Sequence, residues 1–113
     1  MKLTSHTENT TTIILKLEGE LDASSSVLLD EQLSNPEIMK FQNILIDCTG
    51  LTYISSAGLG VFMAHLHRLE EARIKLVFFN MSERVRNVFQ ILGLDVLTTI
   101  AATKTEALIL SNG

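Results

Sequence analysis

The stretch NILIDCTGLTYISSAGLGVF, residues 43–62, changes character twice, and those changes decide the fold. Asn43 to Asp47 is a short continuous apolar run closed by a carboxylate and then by Cys48-Thr49-Gly50, the pattern of a strand buried on both faces. From Ile54 to Gly60 the chain becomes a run of small residues, Ser55-Ser56-Ala57-Gly58, which leads into Val61, Phe62, Ala64, Leu66 and Leu69. Those apolar positions sum to one helical face, so a helix is predicted from Ser56 to Ala72. A buried strand feeding a helix through a small-residue loop is the building block of an α/β fold.

Working outward, the same alternation continues. Ile74 to Phe79 is a second apolar strand, and Ser82 can cap a helix whose face is Val85, Val88, Phe89 and Leu92, with Gly93 as its stop. Val96 to Ile100 is predicted as a short last strand and Thr103 to Leu110 as a last helix, capped by Thr103 with Ala107 and Leu110 inside. Toward the N-terminus, Asp22 stands where an N-cap belongs, and Val27, Leu28 and Leu33 stripe a helix over Ala23 to Ser34 that Asn35-Pro36 ends. Lys2 to Thr7 and Thr11 to Leu17 read as strands joined across Glu8-Asn9-Thr10, an opening hairpin. The expectation is one α/β domain over residues 1–113, with a mixed sheet of about four to five strands and about four helices packed on it.

Composition sets limits on function. Leu, Ile, Val and Phe supply 39 of the 113 residues, enough for a packed core, yet no apolar run approaches the roughly 20 residues that span a bilayer. The first eight residues turn polar where a signal peptide needs a hydrophobic region, so a cytoplasmic location is expected. Thirteen acidic side chains against nine scattered basic ones, net −4, give no electrostatic footprint for nucleic acid. Cys48 is the lone cysteine, so there is no internal disulfide and no thiolate cage for a metal. His65 and His67 lie two apart on a helix and face different ways, and His6 is remote in sequence, so no metal is expected.

Chemistry concentrates at the start of the predicted second helix. Ser55 and Ser56 sit at the positive end of a helix dipole, where unpaired backbone N–H groups could receive a phosphate esterified to either hydroxyl. Ser55 could equally be only an N-cap, Ser56 only a first-turn residue, and the glycines only spacers for close helix–strand packing.

Gly19-Glu20-Leu21-Asp22, Ile44 to Leu51 and Tyr53 to Gly60 together resemble the signature regions of STAS domains, specifically the stand-alone bacterial anti-sigma factor antagonists. The likeness covers practically the whole chain. It implies a cytoplasmic switch that, unphosphorylated, binds an anti-sigma factor which is also a serine kinase, and so frees the sigma factor. Phosphorylation by that kinase, which supplies the ATP, ends binding, and a PP2C-type phosphatase restores it. The family segment reads Asp, Ser, Ser or Thr, Gly, with the middle hydroxyl as phosphate acceptor; matching on Gly58-Leu59-Gly60 places the acceptor at Ser56, with Ser55 as alternate. This chain departs from the pattern at Ser55, where the family has aspartate, and at Ala57, where it has a hydroxyl residue. The implied partner surface is Asp22, Asp47, Ser55, Ser56, Ala57, Gly58, Leu59 and Gly60, with Asp47 close enough to orient the serine or repel its phosphate.

No Gly-x-x-x-x-Gly-Lys-Ser/Thr loop is present, so no nucleotide cofactor is expected on this chain. Two other readings compete. A STAS subunit of a lipid-transport ABC system would dock on its transporter through the same helix N-terminus, without inserting into the membrane. A small enzyme would use Ser56 or Cys48 as nucleophile, but no histidine lies near either in sequence to serve as base.

Overall fold

The computed structural model describes residues 1–112; Gly113, the last residue of the expected domain, lies outside them. Five strands, β1 (Lys2–Thr7), β2 (Thr12–Leu21), β3 (Asn43–Ile54), β4 (Lys75–Phe79) and β5 (Thr99–Ala101), form one sheet in sequence order. β1 and β2 are the antiparallel hairpin, and every later neighbour is parallel. The helices are α1 (Ser26–Leu33), α2 (Ser56–Glu71), α3 (Glu83–Ile91), the single turn α4 (Leu94–Leu97) and α5 (Lys104–Asn112).

The topology explains the layering. Each parallel step moves one strand in the same direction, and right-handed crossovers of that kind put their helices on one face. Strand residues alternate accordingly. Ile13, Leu15, Leu17, Ile44, Ile46 and Phe78 pack with Leu29 and Leu33 of α1, Phe62 and Leu69 of α2, and Val85 and Phe89 of α3. Phe78 sits edge-on to both Phe62 and Phe89, at ring-centroid distances of 4.8 and 5.3 Å, which joins two helices through one strand residue. The intervening residues Ile14, Leu45, Val77 and Phe79 face the other way, against Ala107 of α5.

Five sequence expectations change. β3 runs to Ile54, well past Asp47, because β2 also continues to Leu21 and the two pair to their ends. Two register shifts, between Lys16 and Glu18 and between Gly19 and Glu20, absorb the extra residues of β3; Gly19, at φ +98°, supplies the left-handed backbone at the second. α1 begins at Ser26, three residues later than predicted, so Leu29 and Leu33 face the core while Val27 and Leu28 are exposed. In α2 the exposed Ala64 gives its inner place to His65, and in α5 Leu110 is largely exposed. Residues 96–97, expected in a strand, belong instead to α4: Gly93 at φ +72° ends α3 and restarts the chain, and Thr98 closes the turn with its N–H and hydroxyl on the Leu94 carbonyl. This extra turn makes five helices and shortens the last strand to three residues.

Candidate functional site

The paired carboxyl ends of β2 and β3 set the site's position. Ile54 pairs with Leu21, and the next amide, Ser55 N–H, donates to the Leu21 carbonyl at 2.8 Å. Ser55 and Asp22, the residues that follow the two strand ends, are therefore neighbours. Ser55 adopts an extended backbone and its Oγ accepts the Gly58 N–H at 3.2 Å, a working N-cap for α2. Ser56, the first residue of the helix, is exposed, and its hydroxyl makes no hydrogen bond among the described residues. Ala57 and Gly60 are exposed beside it, whereas Gly58 and Leu59 are buried.

The two glycines have separate reasons. A Cβ on Gly58 would lie 2.7 Å from Leu21 Cγ and 2.8 Å from its Cδ2, so α2 can approach β2 only with glycine there. A Cβ on Gly60 would meet nothing within 4 Å. Gly60 therefore costs helix stability, by about 0.5–1 kcal/mol relative to alanine, without any return in internal packing.

Asp22 does not cap α1 in the manner predicted. Its carboxylate accepts the Ser25 N–H and the Ser24 and Ser25 hydroxyls, each at 2.9 Å, within the turn that precedes the helix. Ser25 Oγ in turn accepts the Asp22 N–H, so the two residues lock each other while Ser25 stands at the N-cap position without a side-chain cap bond. The Ser25 N–H above all, then the two serine hydroxyls, holds the Asp22 carboxyl down at about 2. It is a fixed negative charge at this end of the sheet.

Asp47 is elsewhere. It pairs with Lys16, five residues before Leu21 on β2, which puts it about 17 Å from Ile54 at ordinary strand rise. Its carboxylate accepts the Thr49 N–H at 2.9 Å and the Thr49 hydroxyl at 2.6 Å, and Thr49 Oγ1 accepts from Asn80 just past β4. The expectation that Asp47 reaches the serine thus fails: it is not the end of β3 but the last β3 residue to pair with β4. Cys48 is 1 % exposed, and burial first, with the Asp47 charge second, pushes its thiol up to about 12. A thiol so held is no nucleophile at neutral pH.

Two features escaped the sequence reading. His65 is buried between α1 and α2, with Nε2 2.7 Å from Asp30 Oδ1 and Nδ1 2.6 Å from Arg68, whose guanidinium also donates to the Leu33 carbonyl at 2.6 Å. With Nδ1 accepting from Arg68, the proton is assigned to Nε2, which donates to Asp30, and the group clamps one helix to the other. Val27, Leu28 and Tyr53 are large apolar side chains left exposed, Tyr53 two residues before Ser55 near the end of β3 and the other two in the first turn of α1. Only a correct start for α1 would have revealed the pair on the helix. Among the described residues, no group of three or more histidine, cysteine, aspartate or glutamate side chains could hold a metal, and no helix is long and apolar enough to cross a membrane.

The sequence pattern of the STAS domain matches residues 4–107. An anti-sigma-B factor antagonist of Listeria monocytogenes is 32 % identical over 88 residues, which span 78 % of this chain and 77 % of that protein. Among solved structures, an anti-sigma factor antagonist from Mycobacterium paratuberculosis superposes with a TM-score of 0.88 at 16 % identity, covering 99 % of this chain and 94 % of the other. The unphosphorylated form of the anti-sigma factor antagonist SpoIIAA gives 0.75 at 22 % identity over 99 % of both chains, and its phosphorylated Bacillus form 0.72 at 24 % over 95 % and 96 %.

Proposed function

The chain belongs to the STAS domain family, and from that membership we propose that it is an anti-sigma factor antagonist whose binding is switched off by phosphorylation of Ser56. The observation that carries this reading is the division of labour between the two serines: Ser55 is committed to the α2 cap, while Ser56 is exposed with an unengaged hydroxyl. In its unphosphorylated state the surface formed by Asp22, Ser55, Ser56, Ala57 and Gly60, with Gly58 and Leu59 fixing the helix beneath, docks on an anti-sigma factor that is also the serine kinase. That partner supplies the ATP, and a PP2C-type phosphatase reverses the modification. The chain itself is a substrate and a ligand, not an enzyme, and it works in the cytoplasm. Asp47 lies outside this surface, for the reason of distance given above.

The switch needs no refolding. A phosphate adds about −1.5 to −2 charges at a helix N-terminus, where the dipole and the orphan N–H groups favour an anion by roughly 0.3–1 kcal/mol. The folded state therefore tolerates the modification, and binding is lost at the interface through bulk and through charge added beside the ionised Asp22. Asp22 supplies at this end of the sheet a carboxylate that Ser55, in place of the family's aspartate, does not.

The test uses the Ser56→Ala and Ser56→Asp chains as bait in host lysate, with the bound proteins identified. An ATP-binding serine kinase retained by Ser56→Ala and lost from Ser56→Asp, both equally folded, is the expected result. Equal retention by both, or loss from Ser56→Asp because the domain has melted, contradicts the proposal. Retention of transporter subunits by both forms would favour constitutive docking on a membrane system.

A further inference from the structure

At the far end of α2 from Ser56, a helix of 16 residues and so about 24 Å away, the sheet has a notch. β5 pairs only with Val77–Phe79, which leaves Lys75 and Leu76 at the start of β4 without a strand on that side. α4 precedes β5, and the space between them and the start of β4 is a groove of about 560 Å³, within the range of small-molecule sites. Its walls are Leu66 of α2, Leu76 and Val77 of β4, Leu97 of α4 and Leu110 of α5. Leu97 and Leu110 are 59 % and 41 % exposed, so two large apolar side chains face water at its mouth.

Three charged residues also line the groove: Glu70, Arg73 and Lys75. Lys75 donates to the Leu110 and Ser111 carbonyls at the end of α5. The Arg73 guanidinium makes no hydrogen bond or ion pair among the described residues. Its backbone stands at φ +60°, directly after the Ala72 cap of α2, where glycine is the residue of least strain. An arginine there is strained in its backbone, its cation suits the C-terminal end of the α2 dipole, and it lines the groove beside the leucines. We propose that this groove binds a single-chain amphiphilic anion, its alkyl chain along the leucines and its carboxylate on Arg73. A peptide added to the sheet edge has only two backbone residues to pair with, and a nucleotide finds no aromatic side chain in the lining on which to stack.

The test is titration of the ¹⁵N-labelled chain with decanoate below its micelle concentration, with decanol as the neutral control. Expected are saturable 1:1 shifts centred on Arg73, Leu76, Leu97, Thr99 and Leu110, and a preference for decanoate over decanol of about tenfold, the scale of a charged hydrogen bond. Arg73→Gly relieves the backbone and so keeps the fold, yet should abolish that preference; Glu70→Gln, which removes an opposing charge from the same wall, should increase it. Several results would overturn the proposal: no saturation, shifts centred elsewhere, an unchanged preference in Arg73→Gly, or sedimentation with phosphatidylglycerol vesicles without any binding of free decanoate.

Discussion

Ser55 Oγ accepts the Gly58 N–H and the Ser56 hydroxyl bonds to nothing among the described residues, so two adjacent serines respond differently to the same substitution. Ser55→Ala removes an N-cap and should lower stability by about 1 kcal/mol in urea unfolding, whereas Ser56→Ala should stay within about 0.5 kcal/mol of the parent. Asp22 makes its own prediction. Its folded pKa of about 2 lies below the ordinary 3.8, so its stabilisation is fully present above pH 4 and is lost as the pH falls from there toward 2. Acid unfolding followed by circular dichroism should accordingly be shallower in that window for Asp22→Asn, whose side chain does not titrate. The serines were legible before the structure because hydroxyls before a helix are read from local pattern alone. What separates them was not, since it depends on which hydroxyl the helix claims.

At the scale of elements, the approach of α2 to β2 is the controlling contact. Gly58→Ala forces a methyl to 2.7 Å from Leu21 Cγ and should cost about 1–3 kcal/mol, while Gly60→Ala meets open space and should stabilise the fold by about 0.5–1 kcal/mol. If Gly60 is kept for a partner, the same Gly60→Ala chain binds more weakly although it melts higher; thermal melts paired with the affinity for the captured kinase separate these effects. The strands and long helices were readable because burial on both faces and helical periodicity are imprinted in runs such as Ile44 to Ile46. The misplaced bounds of α1 and of the last strand share one physical origin. Val27, Leu28, Val96 and Leu97 are apolar but exposed, so a reading that equates apolar with buried starts α1 early and turns α4 into a strand. Asp47 failed differently: a carboxylate after an apolar run looks like a strand end, but pairing between β2 and β3 outlasts it.

Across the whole molecule, parallel order places the carboxyl ends of β2 and β3 together, with Asp22, Ser55 and Ser56 on one edge, and puts three helices on one face of the sheet and α5 on the other. Ligand sites in such sheets gather at the carboxyl ends of strands, and the proposed ligand at this edge is another protein. In the proposed switch, a chain of net charge −4 would gain up to two further negative charges at that edge on phosphorylation of Ser56, with the core beneath it expected to stay intact. The most direct test is the intact mass and phosphopeptide map of the protein recovered from its own host, in growing and in stressed cells. The expected result is one phosphoryl group, on Ser56, whose occupancy changes with condition; its absence under every condition, or its location on Ser55, would contradict the proposed switch.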